Sequence, residues 1–185
     1  MPALIIIDMQ KAVEDPSWTR YGPRNNPGAE EAGIALLEAW RAAGRPIYHV
    51  RHDSVEPQST YRPGQPGNEF KDGFSPREGE TLIVKSTGSA FIRTPLEKML
   101  RDRGESTLIF AGVSTNHCID ANVRNASDLG FTVFVAEDAC FTFAKPDWTG
   151  TVRTAEEVHA MTLGNLQGEY CQVVNSRELI TAIRS

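Results

Sequence analysis

The chain has 185 residues, 40% of them hydrophobic and 23% charged, with a net charge of −5, an ordinary globular composition with enough interior for one sizeable core. No basic stripe appears, so nucleic acid is not expected as a partner. The longest apolar run, Leu4–Ile7, is far too short to cross a membrane, and the N-terminus lacks the pattern of a signal peptide, so the expected location is the cytoplasm.

Strand-like and helix-like segments alternate along the chain. Ala3–Ile7 is a continuous apolar run, as expected of a strand buried on both faces. From Gly28 to Ala43, Ile34, Leu37 and Trp40 or Ala43 recur at helical spacing, and Gly44 is a natural stop. Pro46–Val50 reads as a second strand. The stretch from Arg51 to Gly79 is rich in Pro, Gly and polar residues, and its Tyr61, Phe70 and Phe74 predict a packed lid. Thr81–Val84 is a third strand, and Thr94-Pro95 starts a helix that ends at about Arg103 before Gly104. Thr107–Ala111 is a fourth strand, followed by a helix from about Asn116 to Leu129. Phe131–Ala136 is a fifth strand, Thr154 to about Leu166 a helix, Tyr170–Val174 a sixth strand, and Ser176–Arg184 a last helix. The prediction is a single doubly wound α/β domain over residues 1–185, Rossmann-like, with a six-stranded, mostly parallel sheet covered by helices on both faces.

In such folds ligands bind beyond the carboxyl ends of the strands, where strand order reverses. Asp8 follows strand one, Lys85 follows strand three, and Gly112-Val113-Ser114-Thr115-Asn116-His117-Cys118 follows strand four. The three cysteines, Cys118, Cys140 and Cys171, have neither the number nor the spacing of a disulfide framework or a cysteine-rich zinc site. Cys118 opens a helix, where unpaired N–H groups favour a thiolate. Asp8 is suited to take the thiol proton and hand it to a leaving amine, and Lys85 to keep Asp8 ionised. Backbone N–H groups at the loop and helix start suit a developing oxyanion. Taken singly, each residue has an ordinary explanation: a turn cap, a solvated lysine, an apolar filler. Proximity of all three at one sheet edge is the argument, and it depends on a strand order that the sequence does not state.

Over nearly its whole length the chain resembles the isochorismatase-like cysteine hydrolases, which include nicotinamidases, N-carbamoylsarcosine amidases and ureidoacrylate amidases. The resemblance rests on Ile6-Ile7-Asp8-Met9-Gln10, on Val84-Lys85 followed by Ser89-Ala90-Phe91, on Gly112 to Cys118, and on Gly130-Phe131 and Asp138-Ala139. It implies a triad of Asp8, Lys85 and Cys118, a cis peptide between Val113 and Ser114, and an oxyanion hole made by the Ser114 and Cys118 amides. It also implies strands one and four side by side, a small-molecule substrate, and a homodimer or homotetramer. Nicotinamidases carry an Asp-x-His metal site after strand two, and His49-Val50-Arg51-His52-Asp53 does not match it, so no metal is expected. True isochorismatases lack the cysteine at position 118, so its presence favours hydrolysis of a small amide, ureido or N-carbamoyl compound through a thioester. The alternatives are vinyl-ether hydrolysis without a covalent step and a non-catalytic binding protein.

Substrate-binding candidates are Gln10, Trp18, His52, Phe91, Asn116 and His117. Gln10 fits equally as a hydrogen-bonded tie to a loop, Trp18 as packing beneath the next helix, and Phe91 by itself as core. His52 and Asp53 either line the pocket or tie down the lid, while His49 reads as a core histidine. Asp138, placed just after strand five, suits support of the site or a turn. Cys140 in a loop and Cys171 in a strand read as inert, and Glu156 and His159 as an exposed helix face. No phosphate-binding glycine loop is present, so no cofactor is inferred.

Overall fold

The computed structural model describes residues 2–184. Six parallel strands form one sheet: β1 (Pro2–Ile7), β2 (Ile47–His52), β3 (Thr81–Lys85), β4 (Thr107–Val113), β5 (Thr132–Phe141) and, last in the chain, β8 (Gln172–Val174). Their order is β3-β2-β1-β4-β5-β8. The helices are α1 (Ala29–Ala42), α2 (Leu96–Asp102), α3 (Asp120–Asp128), α4 (Ala155–Leu166) and α5 (Ser176–Arg184). Two short strands, β6 (Lys145–Pro146) and β7 (Val152–Arg153), pair antiparallel in a hairpin before α4 that the sequence pattern did not show. None of the described helices is long and apolar enough to cross a membrane.

Side chains alternate across a strand, so β1 feeds two cores at once. Ala3, Ile5 and Ile7 join Leu96, Leu100, Val123, Ala126, Leu163 and Leu166 from α2, α3 and α4. Leu4 and Ile6 face the other way, to Leu36, Leu37 and Trp40 of α1, with Leu179, Ile180 and Ile183 of α5 packed against them. A strand buried on both faces needs no polar alternation, which is why β1 reads as an unbroken apolar run.

The chain builds outward from β1 to β2 and β3, then returns to place β4 on the other side of β1. The reversal lies between β1 and β4, and Ile7 pairs with Gly112 there. Asp8 and the Ser114–Cys118 segment therefore leave the sheet side by side.

Two boundaries differ from expectation. Strand five continues past Ala136 to Phe141 because its ladder with β4 breaks and resumes: Phe110 pairs with Val135, then Gly112 with Cys140. The intervening residues bulge, and Asn26 Nδ2 donates to the carbonyls of Glu137 (2.8 Å) and Cys140 (2.7 Å). Cys140 is thus a buried strand residue rather than a loop residue. Asp138 lies within β5 and caps α5, accepting from Ser176 N at 2.7 Å and Ser176 Oγ at 2.6 Å. The second difference is at the expected 116–129 helix. Thr115–Ile119 winds as a single π-helical turn, with Ile119 N donating to Ser114 O at 3.2 Å, and α3 begins only at Asp120.

Candidate active site

Asp8 sits one residue past β1, buried, at φ 51°. This left-handed conformation is uncommon for a residue with a side chain, though less so for Asp. Its Oδ2 accepts from Lys85 Nζ at 2.7 Å. Its Oδ1 is buried and holds no hydrogen bond among the described residues. Lys85 ends β3 with its side chain wholly buried. Besides Asp8, its ammonium meets Thr87 O at 3.1 Å, His52 Nδ1 at 3.2 Å and Cys118 Sγ at 3.4 Å. The structure therefore brings Asp8, Lys85 and Cys118 together from three strand ends. The peptide between Val113 and Ser114 is cis.

The nucleophile segment is held from both sides. Asn122, fully buried on α3, donates to Cys118 O at 2.7 Å and accepts from Ala90 N at 2.8 Å. This ties the cysteine to the loop that follows Lys85. Thr115 Oγ1 meets His159 Nδ1 at 2.9 Å. His159 is therefore a buried residue that fastens α4 to the cysteine turn, and the expected exposed face does not include it.

The electrostatics alter one expectation. Burial pushes the Cys118 thiol up to about 12, the Asp8 carboxylate pushes the same way, and Lys85 pulls against both. The helix-start effect is worth up to ~2 kcal/mol, too little to reverse burial beside a carboxylate. Burial and the Asp8 carboxylate together favour the neutral thiol at rest. Burial, then the Asp8 charge, raise the Tyr61 phenol well above its ordinary range and keep it neutral. Its ring meets the His52 imidazole edge-on, with centroids 5.5 Å apart, a site placement beyond its expected part in a packed lid.

A cleft of about 360 Å³ leads to Ser114. Trp18, Tyr21, Asn116, His117, Thr142 and Phe143 are among its lining residues, with Arg20 and Lys145 as its cations and no acidic side chain. Trp18 lies 5.2 Å from Phe143 and donates from Nε1 to Thr60 Oγ1 at 3.3 Å. Thr142 Oγ1 donates to Asn116 Oδ1.

Three of the six substrate-binding candidates lie elsewhere. Gln10 is fully buried and its amide is spent on backbone: Oε1 accepts from His52 N at 2.7 Å, while Nε2 donates to His52 O at 3.1 Å and Asn68 O at 2.9 Å. Phe91 packs against Phe131 with ring centroids 6.1 Å apart, on the core between the sheet and α2–α4. His52 points at Lys85 instead of the cleft. Asp53 is held by Arg51 and Asn68, tying down the β2–β3 connection. His49 is buried against Glu80, at 2.8 Å. Among the described residues no group of three His, Cys, Asp or Glu side chains is placed to hold a metal ion.

A buried carboxylate and ammonium and a half-buried thiol thus converge at the switch point of a doubly wound sheet. The model of the isochorismatase domain matches residues 2–167, and the chain belongs to the isochorismatase family. It is 34% identical over 178 residues to the isochorismatase family protein YrdC of Bacillus subtilis (strain 168), covering 96% of this chain and 94% of that protein. The maleamate amidohydrolase of Pseudomonas putida is 28% identical over 158 residues, 74% of this chain and 70% of that one. A solved structure of an isochorismatase-family protein from Chromobacterium violaceum superposes with a TM-score of 0.94 at 58% identity, covering 99% of this chain and 93% of that one.

Proposed function

We propose that this chain is a cysteine-dependent hydrolase of the carbon–nitrogen bond in a small amide, ureido or N-carbamoyl compound. The observation that carries the reading is Lys85 Nζ lying 2.7 Å from Asp8 Oδ2 and 3.4 Å from Cys118 Sγ. Because the resting thiol is neutral, the nucleophile has to be made during attack. Asp8 takes the Cys118 proton while Sγ bonds to the carbonyl carbon, and Lys85 stabilises the charge that passes from carboxylate to sulfur. The Ser114 and Cys118 N–H groups receive the oxyanion. Collapse breaks the C–N bond, and Asp8 returns its proton to the leaving nitrogen. Water then loses a proton to Asp8 and attacks the thioester, and Sγ departs and recovers that proton. The amidohydrolase among the relatives supports the bond type.

The cleft carries Arg20 and Lys145 without a compensating carboxylate, in a protein of net charge −5. Amide acids are accordingly the first substrates to test. Ammonia release from succinamic acid and N-carbamoylglycine is expected to exceed that from succinamide and N-carbamoylglycine methyl ester. Lys145→Met should cut kcat/KM for the acids by about two- to fivefold, the size of one exposed ion pair, and leave the neutral pair unchanged. Equal loss on both would remove the anion preference. A panel with no turnover by folded protein would remove the amidase reading.

We infer self-association as well. Trp148, at the β6–β7 hairpin, is 96% exposed, and Val152 and Met161 are exposed as well. A groove of about 940 Å³ runs between this hairpin and α4, lined by Pro146, Val158, Met161 and Gly164 among others. A projection and a recess on one face are what a twofold interface needs. The groove shares Asn116, Lys145 and Pro146 with the cleft, so a second copy seated there would help wall the site. Light scattering should give twice the chain mass or more, and Met161→Glu should lower it. A monomeric wild type would end this reading.

A further inference from the structure

Lys85 has more acceptors around it than N–H bonds to give. An ammonium carries three donors. Asp8 Oδ2, Thr87 O, His52 Nδ1 and Cys118 Sγ lie at 2.7, 3.1, 3.2 and 3.4 Å. A thiol sulfur accepts weakly, so at rest the three N–H groups go to Asp8, Thr87 and His52. A thiolate is a far stronger acceptor, and once it forms one N–H has to turn toward sulfur. Thr87 O and His52 Nδ1 are the two neutral resting acceptors, at 3.1 and 3.2 Å, and His52, whose acceptor sits on a side chain and not on the backbone, is the one we take to release it.

We propose that His52 is a positioning residue for Lys85: its Nδ1 lone pair parks one Lys85 N–H beside Cys118 and yields it to the sulfur as the thiolate forms. No proton changes owner between His52 and Lys85; only a hydrogen bond is exchanged. The proposal rests on the cysteine-hydrolase reading.

The surroundings of His52 fit this task. Across the β2–β3 ladder it stands directly opposite Lys85. Its backbone is gripped by Gln10, through both N–H and C=O, and by Asn68, whose Nδ2 donates to His52 O at 3.1 Å. The Tyr61 ring meets its imidazole edge-on, with centroids 5.5 Å apart. Gln10 and part of the β2–β3 connection are thus committed to fixing one imidazole.

The accepting tautomer carries its proton on Nε2 and requires a neutral ring. The charged and titratable groups facing His52 are Lys85 from β3, Asp8 from β1, Asp53 next in the chain, and Tyr61 across the ring. Burial, then the Lys85 charge, lower its pKa, while Asp8 and Asp53 work weakly the other way. Protonation therefore occurs only below the ordinary histidine range. There Nδ1 becomes a donor, and two cationic donors face each other.

The test reads Cys118 directly, so it needs no substrate. The rate of Cys118 alkylation by iodoacetamide is measured against pH, resolved from Cys140 and Cys171 by peptide mapping, with kcat and KM on the best amide alongside. His52→Leu removes an acceptor that competes with sulfur only at rest, so it should speed Cys118 alkylation by about tenfold at pH 7.5, one hydrogen bond's worth, with KM changed by less than about twofold. His52→Asn replaces Nδ1 with an oxygen acceptor that does not titrate. It should return the rate to near the wild-type value and hold it there at acid pH, where the wild-type ring becomes protonated. A folded His52→Leu that alkylates like wild type would overturn the proposal. Should that variant not fold, the asparagine variant decides, and an acid limb unchanged from wild type overturns it. The expected alkylation pattern without any amide turnover would leave His52 in this role and remove the hydrolase reading instead.

Discussion

Cys118→Ala is expected to lower amide hydrolysis by about 10⁴-fold or more, with the fold intact. Losses of that order follow when a covalent nucleophile is removed and only binding and oxyanion contacts remain. The side chain is small and only partly buried, packed at the margin of the core between the sheet and α2–α4, so its truncation costs little stability. Asp8→Asn should be nearly as damaging to turnover for a different reason. It keeps the shape and removes the carboxylate paired with Lys85, and with it the base. It also strands a buried ammonium, a change worth about 3–5 kcal/mol when one partner of a buried ion pair is lost. Circular dichroism and urea unfolding therefore belong beside the assay for Asp8→Asn. The two variants separate the mechanisms. Covalent catalysis requires both to fail, whereas hydrolysis without a thioester step keeps Cys118→Ala active and still loses Asp8→Asn. Turnover surviving in Cys118→Ala would sink the covalent reading.

Much of this site was legible before any coordinates, because strand ends are legible. An unbroken apolar run followed by Asp8, another strand followed by Lys85, and a third followed by the Gly112–Cys118 segment each announce where a side chain leaves the sheet. Their convergence was not legible from spacing. It needs β4 beside β1, a pairing between Pro2–Ile7 and Thr107–Gly112 that local pattern does not encode. The same limit explains the misplacements. Thr115 and His159 are 44 residues apart and meet only because α4 packs across the cysteine turn. Asn122 reads as an ordinary helix residue until its carbonyl partner on Cys118 is seen. Strand five looked finished at Ala136 because its ladder with β4 breaks there, and a bulge removes the alternation a pattern search depends on. Gln10, next but one to Asp8, invited a substrate role. Its backbone partners on His52 and Asn68 lie 42 and 58 residues away, and they give it a structural one.

The close approach of β1 and β4 that aligns the site also sets its most fragile point. Gly112 lies on β4 at φ 129°, opposite Ile7, two residues before Ser114. A Cβ there would sit 2.1 Å from the Ile7 carbonyl oxygen and 2.8 Å from the Ile7 nitrogen. Neither atom is the end of a flexible side chain. To admit a methyl group, the backbone of β1 or β4 has to move at the centre of the sheet. Positive φ adds strain of about 1–2 kcal/mol for a residue with a side chain, and forced displacement of a packed core adds about 1–3 kcal/mol more. Gly112→Ala should therefore destabilise the protein by about 3 kcal/mol or more, a large share of a domain's usual 5–15 kcal/mol. In urea this is a midpoint lowered by about 1 M or more. Whatever folded protein remains should be poorly active, because Asp8 follows Ile7 and Ser114 follows Gly112 by two residues, so a shift on either strand pulls the base away from the turn that carries Cys118. Gly44→Ala is the control. It too has positive φ, at 60°, but no atom lies within 4 Å of the added Cβ, so only the conformational strain is felt. If the two variants lost equal stability, the approach of β1 to β4 would not be what Gly112 is there to permit.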